Sequence, residues 1–213
     1  MADSTSLLLL FSSKLGLSSQ DVVVQKALKS IEKNIPLSHV LAEVLLYSYL
    51  RDKGYKFISI EETIGLIKCD VYIEGGELNM CIEVETLAVP IEYILEGLDY
   101  VIARHVKKVI QIAKSGIKIV SFAYPFGVIP LIPLEFLKNP KDRDIEKLLK
   151  LLNTARKFFP LDLNDVAYLR LCNIEEVYVY DLASLNVKPL SKEKVFDLVN
   201  LYTNIFLNRI SIS

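Results

Sequence analysis

Tryptophan is absent from the 213 residues, histidine occurs only as His39 and His105, and cysteine only as Cys69, Cys81 and Cys172. An odd cysteine count without a C-x-x-C pair argues against a disulfide framework, and so few cysteines and histidines argue against a zinc site. Also missing is an uninterrupted apolar stretch of the ~20 residues that a bilayer-spanning helix needs, although 52% of the residues are hydrophobic and the mean hydropathy is +0.34. The longest candidates, around Val40 to Leu50 and Leu87 to Ile102, are broken by Glu43, Arg51, Glu92, Glu96 and Asp99. The apolar run Leu7 to Phe11 follows no basic residue and is shorter than a signal-peptide core, so a cytoplasmic protein with no membrane segment is expected. A basic surplus is lacking as well: 25 Lys and Arg against 26 Asp and Glu give a formal net charge of −1. That disfavours strong non-specific binding to nucleic acid, yet it leaves room for phosphate contacts from a local patch or from two patches joined in a dimer.

What is present suits one well-buried α/β domain with a C-terminal extension. Ser18 or Ser19 is expected to cap a helix over Val22 to Ile31, ended by Asn34 and Pro36. A second helix should run from near Ser38 to Gly54, a favoured residue just past a helix C-terminus. Short β-rich runs follow over Lys56 to Ile60, Cys69 to Ile73 and Leu78 to Thr86. After Pro90, a long helix with Ile91, Ile94, Leu95, Leu98, Val101, Ile102 and Val106 on one stripe should lead to a strand over Ile117 to Ala123. Pro125, Pro130, Pro133 and Pro140 mark a join. Beyond it, a helix over Asp142 to Phe158, a strand over Val177 to Asp181 and a closing helix over Ser191 to Ile210 are expected. The order implies a mixed central β-sheet flanked by helices, with a lead-in over 1–36, a core over 37–139 and an α/β extension over 140–213.

Taking Gly75-Gly76 as a two-residue hairpin loop pairs Glu74 with Glu77, Val71 with Met80 and Asp70 with Cys81. Alternation then puts Asp70, Cys81, Glu83 and Glu85 on one face and Ile82 and Val84 on the other. Three carboxylates on one face repel each other when buried, and a hard divalent cation removes that conflict. The other reading is a surface ribbon whose acidic face is simply solvated. Glu43 is similarly open: His39, Glu43, Tyr47 and Arg51 recur every four residues, so it lies either toward the site or on a polar helix face.

A helix with Glu43, then Asp70, then Ile82-Glu83-Val84-Glu85 on the next strand, then a long helix and a strand, resembles the PD-(D/E)XK nucleases over about residues 37 to 123. Among these it looks most like archaeal Holliday-junction resolvases and the related proteins of spindle-shaped archaeal viruses. The resemblance implies a restriction-endonuclease-like core and a metal-dependent DNA endonuclease, a phosphodiester hydrolase using Mg²⁺ or Mn²⁺. It also implies a homodimer acting on branched or four-way-junction DNA, in the host cytoplasm if the protein is viral. Asp70, Glu83 and the Val84 carbonyl would hold the metal, and Glu43 would join them. Two departures stand out: Cys69 replaces the proline, and Glu85 stands where the family has a lysine that positions the attacking water. Some restriction endonucleases carry Glu-x-Glu, the second glutamate serving as base or as ligand to another metal. Without the lysine, the same residues also fit an inactive nuclease-fold module that binds DNA or a protein.

Candidates for phosphate contact are Arg104, Lys107 and Lys108 on the long helix, then Lys138, Lys141, Arg143 and Lys147; most such charges are a solvated helix face. His105 is a possible auxiliary acid or base, expected more often at the surface or facing a partner. The closing helix offers Val195, Leu198, Leu201, Tyr202, Ile205 and Phe206 to a dimer contact or to the core.

Overall fold

The protein is described by a computed structural model covering residues 3–75, 79–86 and 88–203. It is an α/β fold with a six-stranded mixed sheet, in the order β1-β2-β3-β4-β5-β6, flanked by helices. Strands are β1 (Phe57–Ile64), β2 (Ile67–Glu74), β3 (Met80–Val84), β4 (Ile119–Pro125), β5 (Asn173–Asp181) and β6 (Asn186–Leu190). Helices are α1 (Ser4–Lys14), α2 (Val22–Glu32), α3 (Leu37–Asp52), α4 (Gly97–Lys114), α5 (Leu134–Leu137), α6 (Ile145–Arg156), α7 (Val166–Leu171) and α8 (Lys192–Tyr202). The chain divides into two units, one of Met1–Thr86, Ser121–Phe126 and Tyr178–Pro189, the other of Leu87–Val120, Gly127–Val177 and Leu190–Ser213.

In the first unit, the apolar run near the N-terminus is part of a helix, α1, capped by Asp3, whose carboxylate accepts from the Ser6 amide at 2.7 Å. Helix α2 starts at Val22, as expected, but a serine does not cap it. Its N-cap is Asp21, and Ser18 instead donates its amide to the Asp21 carboxylate at 2.8 Å. Helix α3 buries Val40, Val44, Leu45, Leu46 and Leu50. It stops where expected, at Gly54, which has φ +92°. There the Gly54 amide donates to the Arg51 carbonyl and the Tyr55 amide to the Leu50 carbonyl, satisfying two carbonyls at the helix end. Gly54→Ala should therefore lower unfolding free energy by about 1 kcal/mol, read as a lower denaturant midpoint with an unchanged slope.

The first hairpin is longer than the β-rich runs suggest, because Ile64 pairs with Ile67 around Gly65, whose φ is +60°. This brings Glu61 and Lys68 into paired strands. The register of β2 with β3 corrects the expected one: Val71 lies opposite Ile82, Tyr72 opposite Cys81 and Ile73 opposite Met80. The connection is longer than two residues, since β2 ends at Glu74 and β3 begins at Met80; Gly76, Glu77 and Leu78 lie outside the described residues. A shift of two residues keeps every side chain on its own face, whereas a shift of one would reverse them all. Every residue of β3 is buried, which excludes the solvated-ribbon reading. One expectation about cysteine fails. Cys69 and Cys81, 12 residues apart and both buried, are joined by a disulfide. Cys172 is a buried free thiol.

In the second unit, α4 begins at Gly97 rather than after Pro90, which leads instead into a short 3-10 turn over Ile91–Tyr93. Ile91, Ile94 and Leu95 are consequently exposed and do not extend the stripe. Tyr93 stacks on Tyr100 at 4.8 Å between ring centres, with Phe158 edge-on to both. The helix buries Val101, Val106, Val109 and Ile110 together with His105, whose Nδ1 lies 2.7 Å from the Val101 carbonyl. His105 is thus an interior residue, not a surface one. Helix α8 buries Val195 and Val199 and exposes Leu198 and Leu201; Ile205, Phe206 and the expected end at Ile210 lie outside the described residues. No helix among the described residues is long and apolar enough to cross a membrane.

Candidate metal centre

Helix α3 presents His39 and Glu43 one turn apart, on the same face by their i, i+4 spacing. Glu43 is fully buried, so it does not belong to a solvated polar face. Its Oε1 lies 3.2 Å from His39 Nε2, and the same ring nitrogen is 3.5 Å from Asp70 Oδ1 on β2. Beyond that His39 contact on Oε1, neither Glu43 oxygen has a hydrogen-bond partner. The other oxygen of Asp70 accepts from the Val84 amide at 2.7 Å, which ties this carboxylate to β3. Glu61 on β1 completes the group: donor atoms of His39, Glu43, Glu61 and Asp70 all lie within 4.8 Å of one another. Lys68, two residues before Asp70 and on the same strand face, forms an ion pair with Glu61.

Electrostatics follow from this crowding. Burial pushes the Glu43 carboxyl up to about 7, against the pull of His39, and the Asp70 charge adds to the rise. Burial works against a charged His39, but the hydrogen bonds and charges of Asp70 and Glu43 outweigh it and push the imidazole up to about 10. Lys68 is shifted down by burial, with the Glu43 and Asp70 charges opposing. Two basic groups therefore face three carboxylates, and one carboxylate still has an oxygen without a donor.

The remaining residues singled out from sequence are distributed as follows. Carrying the register one step past Val71 and Ile82 puts Glu83 beside Asp70. The Glu83 carboxylate is buried with the Cys69 and Cys81 sulfurs, its Oε1 3.4 Å from Cys81 Sγ. Glu85 is buried too, its amide donating to the Ala123 carbonyl at 2.8 Å. Burial, and then the Glu85 charge, push the Tyr180 hydroxyl up to about 12. Arg104, Lys107 and Lys108 lie on α4, in the second unit. Arg104 donates to the Ala88 carbonyl, Lys107 sits 4.6 Å over the Phe159 ring, and burial, then the Lys108 and Arg104 charges, shift Lys107 down. Lys141 and Lys147 are exposed and Lys138 pairs with Glu135. Arg143 is a correction: it is 5% exposed and donates to the Phe136, Leu169 and Cys172 carbonyls, so it holds its own unit together and is not open to a phosphate.

Sequence reasoning missed Glu61 and Lys68, and noticed His39 only as part of a helix repeat. The signal for the first two was Ile64-Gly65-Leu66-Ile67, a glycine turn between apolar residues that predicts a hairpin. The donor set has the chemistry of a divalent-cation site: oxygen-rich, anionic, and built on rigid elements.

No protein-family model matches this chain. Two curated relatives, both named sugar fermentation stimulation protein homolog, come from Thermoanaerobacter sp. (strain X514) and Thermoanaerobacter pseudethanolicus (strain ATCC 33223 / 39E). Each is 26% identical over 160 residues, which is 73% of this chain but 64% of the relative, so the chain spans less than two thirds of their length. Among solved structures the chain is similar to Pyrococcus furiosus SfsA in complex with Ca²⁺, at 16% identity and a TM-score of 0.31, over 71% of this chain and 60% of that one.

Proposed function

We propose that this chain is a metal-dependent DNA endonuclease. Glu43 carries that reading: a fully buried carboxylate whose one polar contact is His39 on Oε1, its Oε2 left without a donor, grouped with Asp70 between two sheet strands and a helix. Burying a carboxylate with so few donors is costly, and a bound cation would remove that cost. Asp70, Glu43, Glu83 and the Val84 carbonyl would hold Mg²⁺ or Mn²⁺. Once bound, the cation supplies Lewis-acid polarisation of a phosphoryl oxygen and a more acidic water. The Val84 amide orients Asp70, and burial of β3 excludes bulk water from the carboxylates around it. Glu85, in the position of the missing lysine, takes the proton of the attacking water. Arg104, Lys107 and Lys108 would contact phosphates. Branched or four-way-junction DNA is the substrate we favour, cut in the cytoplasm by a two-fold homodimer that offers two sites.

The test is cleavage of labelled linear, branched and four-way-junction DNA in Mg²⁺, Mn²⁺ or EDTA. Wild-type protein should cut only with metal, and Asp70→Asn should retain less than about 1% of that rate. Binding without cutting under every condition would favour the second reading, a non-catalytic nuclease-fold module, for which Glu85 in place of lysine is the supporting observation.

A further inference from the structure

Four side chains converge in one group, of which sequence singled out Glu43 and Asp70 as site residues, and one of the other two is an imidazole. His39 and Glu43 come from one turn of α3, Glu61 from β1 and Asp70 from β2, with their donor atoms within 4.8 Å of one another. Glu61 occupies the β1 position facing Asp70 and has φ +54°, a left-handed conformation that a non-glycine residue adopts only when its surroundings hold it there. Its side chain is 9% exposed, and that of His39 is 18% exposed. Glu43 supplies the independent sign of a ligand: it is completely buried, points into the group, and beyond the His39 contact on Oε1 its carboxylate, Oε2 included, finds no donor.

Resting on the metal-dependent reading above, we propose that His39 and Glu61, rather than Glu83 and the Val84 carbonyl, complete the shell of Glu43 and Asp70, and that this one-nitrogen, three-carboxylate set selects Mn²⁺ over Mg²⁺. Magnesium takes oxygen ligands and gives up its waters reluctantly, so an imidazole in its shell is unfavourable. Manganese accepts both carboxylate and imidazole, and three carboxylates are too hard a set to mark a thiolate-type zinc site. In such a site His39 would ligate as the neutral imidazole and Glu61 would no longer need Lys68, whose side chain is 42% exposed and has room to swing out.

The experiment is calorimetric titration of the full chain with Mn²⁺ and with Mg²⁺, without DNA, together with pulsed EPR of the Mn²⁺ complex. Wild type should bind Mn²⁺ about tenfold tighter than Mg²⁺ or better, and the EPR spectrum should show coupling to an imidazole nitrogen. His39→Asn should lose the nitrogen coupling and the preference while keeping its Mg²⁺ affinity; Glu61→Gln should weaken both cations and keep the coupling. Circular dichroism checks that each variant is folded, and Glu61→Gln serves if His39→Asn is not. Equal affinities in wild type, no nitrogen coupling, or a preference that survives His39→Asn overturns the proposal, even if Asp70→Asn abolishes DNA cutting. If wild type binds neither cation, the metal-dependent function falls with it.

Discussion

Arg143→Met should lower the unfolding free energy by about 3–5 kcal/mol, the largest stability loss expected of any single charged residue in the second unit. The guanidinium is buried and its donors reach the carbonyls of Phe136, Leu169 and Cys172, with Nε 3.3 Å from the Lys138 carbonyl. These four carbonyls come from the end of α5, the loop after it and both sides of the α7 C-terminus, where backbone oxygens have no helical partner. One planar fork answers all of them, a geometry that a lysine ammonium reproduces poorly. Arg143→Lys should therefore recover only part of the loss. Lys141→Met, an exposed charge two residues away, should change stability by no more than about 0.5 kcal/mol. Denaturant unfolding monitored by circular dichroism measures all three. A loss below about 1 kcal/mol for Arg143→Met would mean that water satisfies those carbonyls as well as the guanidinium does.

Arg143 also shows where sequence alone stops. Its neighbours Lys138, Lys141 and Lys147 look like one basic run, and nothing in the spacing distinguishes a surface lysine from an arginine turned inward to unpaired carbonyls. Patterns with a local cause were readable. Gly54 ends α3 because a left-handed residue is needed there, and Val101 and Val106 of the expected stripe face inward because helical period brings them together. The mixed sheet with flanking helices was legible for the same reason, from the alternation of strand-like and helix-like runs. Long-range choices were not readable. The register of β2 and β3 depended on a connection longer than Gly75-Gly76 alone, while strand parity still kept Asp70, Cys81 and Glu83 on one face. Helix α4 was extended too far toward Pro90 because Ile91, Ile94 and Leu95 mimic its stripe, whereas stacking of Tyr93 on Tyr100 accompanies a 3-10 turn there. In the candidate metal centre, Asp70 and Glu43 were visible as acidic residues on the right elements. Glu61 and Lys68 were not, since they enter only once the first hairpin is continued past Ile60.

Glu43→Gln should have opposite effects with and without metal. In EDTA, the wild-type protein loses stability as pH rises. Burial has lifted the Glu43 pKa from 4.5 to about 7, so the contribution of its neutral form is present below about 4.5 and is lost as pH rises through about 7. For His39, burial is outweighed by Asp70 and Glu43, and its pKa is lifted from 6.5 to about 10; its contribution is complete below 6.5 and disappears as pH rises through about 10. Both slopes run the same way across pH 5 to 9. Glutamine keeps the shape of Glu43 but never ionises, and it removes one of the two carboxylates that favour the charged His39. The variant in EDTA should accordingly show a flatter stability–pH profile and be at least as stable as wild type at pH 8. Adding metal should reverse the order. A ligand at about 100 times its dissociation constant stabilises the folded state by ~2.7 kcal/mol, and the variant should gain almost none of this. Thermal unfolding at pH 5, 7 and 8, with EDTA or with Mn²⁺, provides the comparison. If Glu43→Gln kept the full metal-induced stabilisation, Glu43 would be no ligand, and its burial would need a structural cause within the first unit.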